Sequence, residues 1–188
     1  MALTPILLAI CILALFMFNL SRSHQYCIKN TGLSLRLYAT DHGGRFPFRT
    51  NGFGNALLLT ISEGTLGDTN GTLYVKLLTA PGDDGEVYRQ ALQTGEPIPE
   101  EKCSRIYIQG FTETNNPQIA LIFDKWPTRG GDHFRRPWGP FLREVCLLDG
   151  SMQVVPEEQW PKFASNQVEL LVQEGLPRAK AEHYYRIR

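Results

Sequence analysis

Cys27-Ile28-Lys29-Asn30-Thr31-Gly32-Leu33-Ser34-Leu35-Arg36-Leu37-Tyr38 follows directly on an apolar run from Ala2 to Leu20. Ile28, Thr31, Leu35 and Tyr38 recur at helical spacing on one side, Leu33 and Leu37 lie nearby, and Lys29 and Arg36 point elsewhere. An amphipathic face of this kind needs a cover, and the rest of the chain is the candidate. Working back from Cys27, eighteen or so apolar residues in a helix would measure about 27 Å, close to the hydrocarbon thickness of a bilayer. The two halves together therefore read as one helix in two solvents: residues 1–22 in lipid, the remainder on the body.

Three readings compete for the apolar run. A cleavable secretory signal wants a positively charged stretch before it and a small-x-small cleavage site after it, and Asn19-Leu20-Ser21-Arg22 offers neither. Leu8-Ala9-Ile10-Cys11 resembles a lipoprotein attachment site, with Ile10 too bulky for it. An uncleaved single-span anchor fits best. Arg22, Lys29 and Arg36 all follow the span and favour a cytoplasmic body by the positive-inside rule, while the cysteines favour the other side.

Of four cysteines, Cys11 belongs to the apolar run and three remain, enough for one bridge and one free thiol. Cys146 lies in an apolar strand pattern, which suits a small buried hydrophobe. Cys27 with Cys103 is the candidate disulfide, against the alternative of three unpaired thiols. In an oxidising compartment such a long loop closure would stabilise the fold by about 2 to 4 kcal/mol.

The chain has 188 residues and a formal net charge of zero, with Lys and Arg scattered. That excludes the electrostatic footprint of a nucleic-acid binder. Gly43-Gly44 and Pro47 end the first helix. Short helices are expected at Asn55 to Ser62 and Leu73 to Thr79, with turns between Pro81 and Gly85. Ser104 to Gly110, Gln118 to Asp124 and Phe141 to Leu148 read as strands. Asp149-Gly150, a two-residue type I′ turn signal, then turns the chain into Ser151 to Val155 as a hairpin. Helical segments follow at Pro156 to Trp160, Asn166 to Glu174 and Arg178 to Tyr185. The expected fold is α+β: a long N-terminal membrane-spanning helix packed on a small antiparallel sheet, with C-terminal helical segments. Residues 1–22 form the spanning half, 23–164 the body and 165–188 a helical tail.

The order of these elements resembles the type IV pilin-like proteins. It is most similar to the type II secretion G-type pseudopilins of planctomycete and verrucomicrobial bacteria. The resemblance rests on Cys27 to Asn30, Tyr38-Ala39-Thr40-Asp41, Gly44-Arg45-Phe46-Pro47 and the late strand-Asp149-Gly150-strand. It covers residues 27 to 155, with the middle loosely aligned. The family's processing site, a Gly before Phe-Thr-Leu-x-Glu, is absent, since Thr4-Pro5-Ile6-Leu7-Leu8 stands there with no acid in the apolar run. Ser151-Met152 replaces the family's His-Val. The family's His-Gly-Gly-Arg is matched only by the shifted Gly130-Gly131-Asp132-His133.

The resemblance implies a non-enzymatic, membrane-anchored structural or assembly component of a secretion or pilus-like system. Its expected place is the bacterial inner membrane, single-pass, with a periplasmic body. Membrane lipid and pilin-like subunits meeting the N-terminal helix are the implied partners. The alternative is a membrane-anchored extracytoplasmic binding or sensor domain that does not polymerise.

No cofactor, metal or small-molecule substrate is read from the sequence. The histidines at 24, 42, 133 and 183 sit in unrelated contexts, without a metalloprotease helix, a nucleophile elbow or a phosphate-cradling loop. Asp132-His133 with Asp149 is the strongest catalytic grouping, Asp41-His42 is a second candidate polar site, and solvated loop histidines are the blander reading. Phe134, Arg135, Arg136 and Trp138 form a candidate partner surface, because Trp and Arg are enriched at interface hot spots. The alternative is local packing of cations on rings.

Overall fold

The computed structural model describes residues 27–63, 72–129 and 139–187. Helix α1 spans Ile28–Asp41, α2 Phe53–Ser62, α3 Thr72–Val75, α4 Glu86–Thr94, α5 Trp160–Gln173 and α6 Arg178–Arg186. The strands are β1 Arg105–Tyr107, β2 Ala120–Asp124, β3 Thr128–Arg129, β4 Phe141–Leu147 and β5 Met152–Pro156.

All strand pairs are antiparallel. β2 lies between β1 and β4, while β4 also pairs with β3 and with β5. The hairpin expected at Asp149–Gly150 joins β4 to β5, but as a three-residue loop, 148–150, in place of a two-residue type I′ turn, since Gly150 alone takes a positive φ, at 85°. The Asp149 side chain supports it by accepting the Ser151 N–H at 2.8 Å.

The sheet is covered on both faces, which explains why β2 is buried at every residue instead of alternating. On one face Cys146 of β4 lies against Gly32 of α1. A Cβ on Gly32 would sit 2.2 Å from the Cys146 Sγ, so only glycine lets helix and strand approach this closely. Because side chains alternate, Ile122, Asp124, Arg105, Glu144 and Met152 share the α1 side. On the other face Phe123 packs with Trp160 and Tyr185, at ring-centroid distances of 5.2 and 5.0 Å. Arg143 lies over the Trp160 ring at 4.5 Å and pairs with Glu157 at 2.7 Å.

Gln167 joins α5 to the sheet by imitating a strand. Its Oε1 accepts the Ala120 N–H and its Nε2 donates to the Gln118 carbonyl, both at 2.9 Å. Residues 165–187 hold most of α5 and all of α6, which pack against the sheet's second face. Two elements had no sequence expectation, α4 and β3. α4 follows Gly85 in the left-handed conformation, where the Asp83 carboxylate accepts the Gly85 N–H at 2.9 Å.

The long membrane-spanning helix of the expected fold class is corrected. Its apolar half, residues 1–22, lies outside the described residues. Among the described residues no helix is long and apolar enough to cross a membrane. α1 has 14 residues, and Cys27 before it is extended, at φ −67° and ψ 115°. That backbone makes Cys27 the N-cap, and α1 begins at Ile28. No described helix therefore supports the transmembrane helix or the single-pass inner-membrane placement with a periplasmic body. The amphipathic reading of α1 fares better: Ile28, Leu35 and Tyr38 are buried, while Leu33 and Leu37 are exposed.

Candidate functional site

A cleft of about 480 Å³ opens beside the N-terminus of α2. Thr50, Asn51 and Gly52 form one wall, Pro97 to Glu100 another, and Lys180, His183 and Tyr184 of α6 the third. Gly52 precedes α2 at φ 112° and has no side chain with which to cap it. The cap comes from across the cleft, where the Glu100 Oε1 accepts the Phe53 N–H at 3.0 Å. Asn55 fastens the same two walls, its Oδ1 accepting the Ile98 N–H at 3.0 Å and its Nδ2 donating to the Ile98 carbonyl at 3.3 Å.

The second carboxylate oxygen of Glu100 stands 3.2 Å from the His183 Nε2. A carboxylate and an imidazole in a cleft have the parts for acid–base chemistry. Here the carboxylate is already engaged as a helix cap, and the cleft brings no His-activated nucleophile to the pair. Burial pushes the Tyr184 phenol up to about 12, against a lowering hydrogen bond from the Gln109 backbone, which keeps it neutral. The arrangement can hold a polar ligand against an apolar rim of Pro97, Ile98 and Pro99.

A second histidine cluster joins the ends of α1 and α2. His42 stacks on Tyr38 with ring centroids 3.8 Å apart and 6° between planes. Its Nδ1 is 2.7 Å from the Tyr38 carbonyl oxygen and its Nε2 is 3.0 Å from the Glu63 Oε2. The Tyr38 hydroxyl donates to the same carboxylate oxygen at 2.9 Å. Burial first, then Glu63, pushes the Tyr38 phenol up to about 12.

The third polar group is a charged layer under α1. Arg105 and Asp124 are fully buried, and Glu144 nearly so. The Arg105 Nε donates to the Asp124 Oδ1 at 3.2 Å, and its guanidinium also donates to the Thr31 hydroxyl at 2.7 Å and the Leu77 carbonyl at 2.9 Å. The Thr31 hydroxyl itself donates to the Leu77 carbonyl. Burial pushes the Asp124 carboxyl up to about 6, with Arg105 pulling it down and Glu144 pushing it further up. This layer pins α1 to the sheet and has no opening to solvent.

Cys27 and Cys103, the candidate disulfide, are both buried with no bond joining their sulfurs, and Cys146 is buried as well. Cys103 sits under α2, where a Cβ on Gly54 would meet its Sγ at 2.8 Å, and the thiol donates to the Pro99 carbonyl at 3.8 Å. Burial pushes the Cys103 and Cys146 thiols up to about 11 each. Phe134, Arg135, Arg136 and Trp138, the candidate partner surface, lie outside the described residues, as do Asp132 and His133. Asp149 is an exposed turn residue, its carboxyl held down chiefly by the hydrogen bond from Ser151. Among the described residues no group of three or more His, Cys, Asp or Glu side chains is placed to hold a metal ion.

Glu100, Lys180 and the Arg105–Asp124 pair do not stand out in the sequence, where His183 is one of four histidines in unrelated contexts. Glu100 and His183 stand 83 positions apart, so no local spacing announces them. The buried pair did leave a trace: each is the one charged residue at the end of an otherwise apolar strand segment. No family model, curated protein or solved structure matches the chain, and so none identifies it as a pilin or pseudopilin.

Proposed function

We propose that this chain is a non-enzymatic structural or assembly subunit with a pseudopilin-like body. One observation carries the reading. The two segments on which the resemblance rests, residues 27–47 and the strand-Asp149-Gly150-strand hairpin, meet directly in space. Gly32 admits Cys146, and Arg36 donates to the Asp149 carbonyl at the hairpin turn. Such a body works mechanically, with α1 fixed on the sheet and the loops left to meet partners. The histidine pairs add no catalytic constellation, since Glu63 and Glu100 are taken up by internal contacts. The test is photo-cross-linking in whole cells from a photoreactive amino acid at Leu37, which is exposed on α1. Adducts with pilin-type subunits or with further copies of the chain are expected. Recovery of the uncross-linked chain alone refutes the assembly reading.

The cleft beside α2 favours a second reading, a binding domain for a polar ligand. Under it, Lys180→Ala and Glu100→Gln abolish ligand-induced chemical-shift changes at Gln109 and Tyr184, while the Leu37 adducts are missing.

A further inference from the structure

We propose that the β5 edge is a homotypic docking site at which two copies of the chain pair antiparallel about a two-fold axis at Gln153. The Leu147 N–H donates to the Ser151 carbonyl at 2.8 Å, which fixes the hydrogen-bonding phase of the hairpin. With Val145 opposite Gln153 and Glu144 opposite Val154, residues 151, 153 and 155 bond to β4. The N–H and C=O of Met152 and Val154 therefore point away from the sheet. They make no bond to another described residue, and among the described strands β5 pairs with β4 alone. β1, at the opposite end of the sheet, is buried throughout.

An open strand edge is a template for another strand, and proteins that avoid such pairing usually place charge there. Ser151-Met152-Gln153-Val154-Val155 carries none. This points to a second copy as the occupant, since two identical uncharged edges meet without like-charge contact. Antiparallel pairing about Gln153 sets Met152 of one copy opposite Val154 of the other, and the reverse, giving four backbone hydrogen bonds. Pro156 lacks an N–H and ends the run.

The side chains agree with this register. Met152 lies opposite Cys146 and shares its face with Val154, the α1 side of the sheet. Val154 is 51% exposed, and Leu33 and Leu37 of α1 are 57% and 46% exposed. On the helix, Leu33 and Leu37 are turned from Gly32 in the same sense as Arg36, which reaches the hairpin turn. They therefore lie on the flank of α1 beside β5. Pairing brings Met152 and Val154 of both copies into one apolar strip bordered by Leu33. The docking site stands apart from the assembly reading, because a two-fold pair needs no filament.

The test uses the full chain. Gln153 is exposed and, in this register, faces its counterpart as a non-hydrogen-bonded pair, the arrangement with the shorter Cα separation. Under mild oxidation Gln153→Cys should yield a disulfide dimer whose linked peptide maps to residue 153 in both copies. The unsubstituted chain and Thr94→Cys, exposed at the end of α4, should not. Val154→Pro in the Gln153→Cys chain removes two of the four bonds and should lower the yield by roughly tenfold or more. Val154→Thr keeps the N–H and should retain the dimer, and circular dichroism checks that each variant is folded. Monomer alone, equal linkage through Thr94→Cys, or linkage to a different protein overturns the proposal.

Discussion

Removing the guanidinium from the layer under α1, by Arg105→Met, tests whether this layer holds helix to sheet. Arg105 is fully buried and donates to Asp124, Thr31 and Leu77. Methionine fills much of its length but donates nothing. Thr31 and the Leu77 carbonyl remain bonded to each other, so they are not orphaned. Asp124 is orphaned: its remaining described donor is the Glu144 N–H at 3.4 Å. A buried charge stripped of its partner costs about 3 to 5 kcal/mol, a large share of the roughly 5 to 15 kcal/mol that holds a domain folded.

The pH dependence separates this cause from simple misfit. Folding already raises the Asp124 carboxyl from 3.8 to about 6. Loss of Arg105 removes the cation opposing that rise, so the mutant carboxyl climbs higher still. A raised acid pKa means the folded state binds the proton more tightly than the unfolded chain. Stability linked to this group is therefore retained at low pH and falls as pH rises from about 4 through the folded pKa. The cost of Arg105→Met should be small near pH 5 and large near pH 8. Guanidinium unfolding of both proteins at the two pH values reads the difference. Arg105→Met with Asp124→Leu should recover most of the loss, since apolar replacements of buried pairs are often neutral. A pH-independent loss, or no recovery in the double variant, refutes the electrostatic account.

Four further outcomes follow from the packing. Gly32→Ala forces a Cβ against the Cys146 sulfur and should cost about 1 to 3 kcal/mol, with Cys146→Ala in the same chain returning part of it in thermal melts. Gln167→Ala leaves the buried Ala120 N–H without its acceptor and should cost about 1 to 3 kcal/mol by denaturant unfolding. The Tyr185 hydroxyl is buried with no partner among the described residues, so Tyr185→Phe should leave the melting temperature unchanged or raise it. Cys103 and Cys146, buried with thiols raised to about 11, should resist a thiol reagent at pH 8 in the native chain. Both should react once it is unfolded without reductant, and failure of Cys103 to react there would restore the disulfide with Cys27.

What could be read early was local. The Asp149–Gly150 hairpin appears where expected, while of the long first helix only the amphipathic part, with its period near 3.6, appears as α1. The α4 helix was hidden because its start signal, Asp83 turning back to Gly85, also reads as an acidic turn. The start of α1 at Ile28 has a different origin. Apolar periodicity does not register a single residue leaving the helical basin, and Cys27 is such a residue.

The site was hidden for a further reason. Glu100 caps a helix that begins 47 residues earlier in the chain, because Gly52 provides no cap of its own. A missing local cap is thus itself a signal: where a helix start lacks Ser, Thr, Asp or Asn, its first N–H groups are owed an acceptor from elsewhere. α2 meets that need with the carboxylate that also faces His183, so the cleft exists because α2 needed an acceptor from another segment. The same dependence makes Glu100 a poor residue to reassign to chemistry, since anything that drew its carboxylate into the cleft would uncap α2.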